Sequence, residues 1–201
     1  YLLSLSALFA FGGRLADVVG HKTMVIVGVA IFATSSALCG ATPADSSISE
    51  AWIIVFRVIQ GAGAALMFPA ALAIVLAAFP IEGRGKALAA FFGITGALTA
   101  VGPFAGGYLT EWTWRSIFWI NIPVAIVALV LTARAVTDNE RRPAPIDYRG
   151  LVLIAGGMGL AVLGLQQASN WGWTSAATLG CIVVGLVLLA LFARHALSTE
   201  N

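Results

Sequence analysis

Charge is scarce in this chain. Asp, Glu, Lys and Arg make up 10% of its 201 residues, against 60% hydrophobic residues and a mean hydropathy of +0.95. A water-soluble domain carries about 25% charged residues, so a water-facing surface could not be clothed from this composition. Cysteine and histidine are rare too, two of each. Cys39 and Cys181 fall inside apolar runs and read as buried thiols. His21 and His195 stand at the ends of such runs. No residues have metal-ligand spacing, and no cofactor is expected. No basic cluster with interleaved aromatics points to a nucleic-acid partner. An intramembrane serine protease needs a Ser–His pair within the bilayer, and neither histidine lies there, so the chain is not read as an enzyme. Nothing resembles a cleavable signal peptide.

What the chain does have is long runs without Asp, Glu, Lys or Arg. They cover residues 23–44, 58–81, 87–110, 116–133 and 150–193. About 20 apolar residues span a bilayer as a helix, and the backbone in lipid must satisfy its own hydrogen bonds. The runs do not alternate as barrel strands do. The expected fold is therefore all-α, a polytopic transmembrane bundle with spans at 1–11, 23–42, 51–79, 87–109, 116–133, 150–166 and 175–193. The first span is about half the hydrocarbon thickness, so the chain is expected to begin inside a helix and to be a fragment. Its organisation is read as a helical group over 1–133, a linker over 134–149, a helix pair over 150–193 and a tail over 194–201.

Lys and Arg orient the spans. The connections 12–22, 80–86 and 134–149, with the tail, hold nine of the 11 basic residues. The opposite connections hold only Arg115, and Arg57 lies within a span. The first set is cytoplasmic by the positive-inside rule. All six tryptophans fall at helix ends facing the other side, as residues that favour the membrane interface should.

Four segments carry mechanism. Gly13-Arg14-Leu15-Ala16-Asp17-Val18-Val19-Gly20-His21-Lys22 forms a cytoplasmic turn with Asp17 among cations. Asp17 either pairs with a cation or helix N-terminus or simply balances a positive loop. Arg57-Val58-Ile59-Gln60-Gly61-Ala62-Gly63 puts a permanent charge about 9 Å into its helix. That charge either snorkels to the outer headgroups or faces protein or water, with Gln60 and Gly61 on its own face. Gly102-Pro103-Phe104-Ala105-Gly106-Gly107 combines a G-x-x-x-G packing face with a kinking proline. Trp114-Arg115-Ser116-Ile117-Phe118-Trp119-Ile120-Asn121-Ile122-Pro123 reads as an interfacial anchor.

The first segment resembles the loop signature of the major facilitator superfamily, with Val18 in place of a basic residue and His21 where Arg is common. The second is similar to the superfamily's fourth-helix R-x-x-q-G signature, whose arginine is implicated in proton coupling. The third resembles the fifth-helix motif of antiporters. The fourth, with Asp147-Tyr148-Arg149-Gly150, resembles fourteen-helix EmrB/QacA-type drug-resistance transporters. The resemblance implies that the chain carries most of helix two, helices three to six and two extra helices. It also implies efflux of hydrophobic or cationic compounds exchanged for protons, in a lipid bilayer and together with the rest of the same transporter.

Gly13, Asp17, Gly20, Arg57, Gln60, Gly61, Gly102, Pro103, Gly106 and Gly107 are then the gating and coupling positions. Met67, Phe68 and Phe92 are either walls of a substrate cavity or lipid-facing and core residues. No acid lies in the middle of a predicted span, although proton coupling usually needs a titratable group there; the resemblance puts it on a first helix before Tyr1. A facilitator for a specific metabolite is the alternative transport reading. A seven-helix receptor matches the span count but gives no reason for the loop signature.

Overall fold

The computed structural model describes residues 1–44, 47–136 and 147–199. Among these, the helices are α1 (Leu2–Val19), α2 (His21–Gly40), α3 (Ser49–Ala78), α4 (Arg84–Trp112), α5 (Ser116–Trp119), α6 (Asn121–Ala135), α7 (Tyr148–Trp171) and α8 (Ala176–Thr199), with a 3-10 turn at Ile81–Gly83 before α4. They make seven stretches long and apolar enough to cross a membrane, with α5 and α6 forming one of them. Most of the polar linker, residues 137–146, lies outside the described residues.

The element borders depart from the sequence reading where local chemistry decides them. The expected cytoplasmic loop 12–22 is helical as far as Val19, because nothing in Gly13–Val19 interrupts the backbone ladder. Gly20 ends α1 with φ 110°, ψ 134°, a conformation that side chains rarely adopt, and α2 starts at once. The expected span 116–133 is broken at Ile120. Pro123 has no N–H to offer the carbonyl of Trp119, and the break places it in the first turn of α6, where a missing N–H leaves no helical bond unmade.

Small residues set the packing, as expected where lipid removes most of the hydrophobic drive between helices. The buried core unites Ala16 of α1, Met24, Val25 and Val29 of α2, Ala70 of α3 and Ala125 of α6. A Cβ on Gly28 of α2 would lie 2.7 Å from the Gly63 carbonyl, and one on Gly63 would lie 2.8 Å from the Gly28 carbonyl. α1 runs parallel to α3, so that Gly12 abuts the carbonyl of Ala65 and Gly13 lies beside Pro69. Ala65 is four residues before Pro69, so its carbonyl has lost its helical donor, and only the Cα of a glycine can approach it this closely.

The α7–α8 hairpin repeats the device. Gly150, Gly157 and Gly164, seven residues apart, face Phe192, Leu189 and Ile182 of α8 in turn. A seven-residue spacing keeps one seam along a left-handed pair. The hairpin leans on α1, where Gly159 meets Ala7. By contrast, α4 touches only α3, α5 and its own leading turn among the described residues.

Candidate functional site

The sequence of α3 brings two helices to one arginine. Arg57 lies eight residues after Ser49, about 12 Å along the helix. Its Nη1 donates to Gln60 Oε1 at 3.2 Å. The spacing of three puts the two side chains on one face, and Gln60 is buried to 1% exposure. The guanidinium carbon lies 5.6 Å from the centre of the Tyr1 ring and 5.1 Å from that of Phe118. Both distances are within cation–π range. Gly61 is where α1 comes closest: a Cβ there would collide with Ser4 Oγ and the Tyr1 carbonyl, while Ser4 Oγ donates to that carbonyl at 2.8 Å. Gly63, two residues on, does the same for α2. The run Arg57–Gly63 thus carries a cation, a buried amide that accepts from it, and two glycines that fix the helices on either side.

An aromatic path follows the same face of α3. Phe9 of α1 packs on Phe68 at 5.9 Å, Phe68 on Phe91 of α4 at 5.8 Å, and Phe91 on Phe92 at 5.4 Å. Phe92 itself is half exposed. Met67 is set apart from this path; it packs toward α2 against Gly28 and the buried core.

At the opposite end, Asp17 Oδ1 lies 3.4 Å from His21 Nε2, across the Gly20 break. The other ring nitrogen, His21 Nδ1, is buried without a hydrogen-bond partner among the described residues. Nearby, Asp147 caps α7: its Oδ1 accepts from the Gly150 amide at 3.0 Å, and its Oδ2 lies 2.8 Å from His195 Nε2 of α8. The Gly150 amide first, then the His195 contact and the Arg149 amide, hold the Asp147 carboxyl below its ordinary range against a smaller opposing effect of desolvation. A cavity of about 220 Å³ opens here, lined by Arg14, Asp147, Ile154 and Phe192 among others.

On α4, Gly102, Gly106 and Gly107 have nothing within 4 Å of where a Cβ would stand. The helix is continuous through Pro103. Thr99, whose carbonyl loses the Pro103 donor, turns its own hydroxyl to the Thr95 carbonyl at 2.8 Å.

The profile of the Major Facilitator Superfamily matches residues 1–150. The chain belongs to this superfamily. It is 40% identical over 204 residues to a tetracenomycin C resistance and export protein of Streptomyces glaucescens, covering 100% of this chain and 37% of the relative. It is 34% identical over 206 residues to a methylenomycin A resistance protein of Bacillus subtilis, covering 100% and 42%. It is 34% identical over 199 residues to a cephamycin export protein of Amycolatopsis lactamdurans, covering 96% and 40%. The chain therefore spans about two-fifths of the length of these relatives. For a superfamily member, seven apolar helices and outward-facing side chains such as Phe104, 81% exposed, and Val152, 72% exposed, make it a multi-pass membrane protein.

Sequence reasoning singled out Arg57, Gln60 and Gly61, and the structure brings them together. It missed Tyr1, Ser4 and Phe118, because nothing in a linear pattern joins residue 57 to residue 118. It also missed Gly12 as the partner of Ala65, although Pro69 inside a span already implied a carbonyl without its donor.

Proposed function

We propose that this chain is part of a proton-coupled exporter of hydrophobic, often cationic compounds, and that Arg57 takes part in the coupling. The observation that carries the reading is the setting of Arg57. A charge at this depth costs several kcal/mol unless protein or water receives it. Here its head is turned to Gln60 and two aromatic rings of neighbouring helices, an inward arrangement that snorkelling does not require. The resistance and export names of the three relatives support the same reading. Phe68, Phe91 and Phe92 supply an apolar wall of the kind that promiscuous recognition uses, and Met67 serves as packing behind it.

In this reading the chain divides into a helical group over 1–133, a linker over 134–149, a helix pair over 150–193 and a tail over 194–201. The open glycine face of α4 receives a helix from the remainder of the transporter. The carboxylate that exchanges the proton also belongs to that remainder, since no Asp or Glu among the described residues lies mid-span. Asp17, Gly20 and His21 act as the cytoplasmic gate, with Gly13 holding α1 close to α3 beside it.

The test is Arg57→Lys in the full-length transporter. Lysine also snorkels, but it cannot replace a planar fork. Normal insertion with loss of most drug-induced proton release is expected. Wild-type release would return Arg57 to the role of an interface anchor.

A further inference from the structure

Phe118 reaches Arg57 through a relay that begins in the 114–123 segment. α5 is a single short turn set off from α6 at Ile120, and the break lets Phe118 face inward at 7% exposure. Its backbone is pinned: the Ser36 hydroxyl of α2 donates to the Phe118 carbonyl at 2.9 Å. Ser36 is fully buried, and its oxygen accepts in turn from Asn121 Nδ2 at 2.9 Å. Asn121 also donates to the Ile117 carbonyl at 3.3 Å. Trp119 packs on Gly40, 3.0 Å from where a Cβ would stand, and Arg115 Nη2 donates to the Thr42 carbonyl at 2.6 Å. Four side chains, Ser36, Asn121, Trp119 and Arg115, thus lock the α5 turn to the end of α2, far more constraint than a headgroup anchor needs.

We propose that Phe118 is a positioning residue for Arg57, and that Ser36 and Asn121 hold its ring over the guanidinium. An aromatic face attracts a cation through its quadrupole and gains strength when water is excluded. Unlike a carboxylate, it does so without neutralising the charge or occupying its N–H groups. Arg57 is held in place with donors left for Gln60 and for a group that changes charge during transport. The inference rests on the coupling role of Arg57.

The experiment replaces Phe118 in the full-length transporter by 4-fluoro-, 3,5-difluoro- and 3,4,5-trifluorophenylalanine, which weaken the ring's quadrupole while nearly keeping its size. Drug-induced proton release should fall with each added fluorine, by about tenfold at three, while drug affinity stays within about twofold. Asn121→Ala and Ser36→Ala, which loosen the ring without changing it, should lower release in the same direction. Release independent of fluorination, or an equal loss of drug affinity, would make Phe118 an ordinary packing residue and overturn the proposal. Arg57→Lys, assayed in parallel, separates the two ideas. If it is inactive while the fluorine series is flat, the coupling reading stands and Phe118 is excluded from it. If it is fully active, the coupling reading itself falls.

Discussion

The worth of a glycine in this bundle is set by what a Cβ would meet. At Gly12 and Gly61 it would meet backbone carbonyls, which cannot swing aside as side-chain ends do. Gly12→Ala and Gly61→Ala should therefore force α1 away from α3, at the usual overpacking cost of about 1–3 kcal/mol. At Gly85, in the first turn of α4, nothing lies within 4 Å. There an alanine removes only the conformational cost of a helical glycine, about 0.5–1 kcal/mol. Thermal unfolding of the purified full-length transporter should show a lowered midpoint for the first two substitutions and an equal or raised one for Gly85→Ala. A Gly12→Ala protein as stable as wild type would mean that the two helices are not in contact there. The sequence distinguishes these glycines poorly. Only Gly85, between Arg84 and Lys86, stands out by its neighbours, and G-x-x-x-G spacing marks Gly102 and Gly106, which are open among the described residues, rather than Gly12 and Gly61, which are not. Close approach depends on the partner strand of chain, and the parallel run of α1 on α3 joins residues more than 50 positions apart.

Among the elements, spans and their order were legible because each needs only a local apolar run: all seven appear, although the first runs to Val19, eight residues past its expected end. Breaks were less so: Gly20 was visible as a turn residue, whereas the split at Ile120 required noticing what Pro123 denies to Trp119. The cap of α7 was written in Asp147 three residues before Gly150, but its second partner, His195, comes from the far end of α8. One acid thus closes the hairpin at its open end. Its carboxyl is depressed below the ordinary 3.8, so its stabilising contribution is present in full above that pH and is lost as pH falls through the lower folded-state value. Asp147→Ala should lower the unfolding midpoint at pH 7. The gap from wild type should narrow as pH drops below 3.8. Asp147→Asn, which can still cap the Gly150 amide but carries no charge, should cost less than alanine. Equal midpoints for the three proteins at pH 7 would mean that the hairpin closes without this acid.

At the scale of the whole molecule, the two ends of the bundle differ in chemistry, and that difference predicts an orientation. One end gathers Trp52, whose Nε1 donates to the Leu38 carbonyl at 2.8 Å, with Trp119 against Gly40 and Arg115 on Thr42. The other end gathers Arg14, Asp17, His21, Asp147 and His195. Tryptophan tolerates either interface, but Lys and Arg concentrate on the cytoplasmic side, so the second end is expected to be cytoplasmic and the tryptophan end to face out. Ser47, before α3, and Ser169, near the end of α7, both lie at the tryptophan end and are exposed; Gly83, in the turn before α4, lies at the other. In a full-length transporter cleared of other reactive thiols, cysteine at Ser47 or Ser169 should react with an impermeant maleimide added to intact cells. Cysteine at Gly83 should react only after the membrane is opened. The two outer positions are separated by four crossings: α3, the α4 span, the α5–α6 span and, after the linker, α7. Their agreement therefore tests the number of crossings as well as the orientation. A reagent that labelled Ser47→Cys but not Ser169→Cys would mean that an odd number of crossings separates them, and the pairing of α7 with α8 as a membrane hairpin would have to be redrawn.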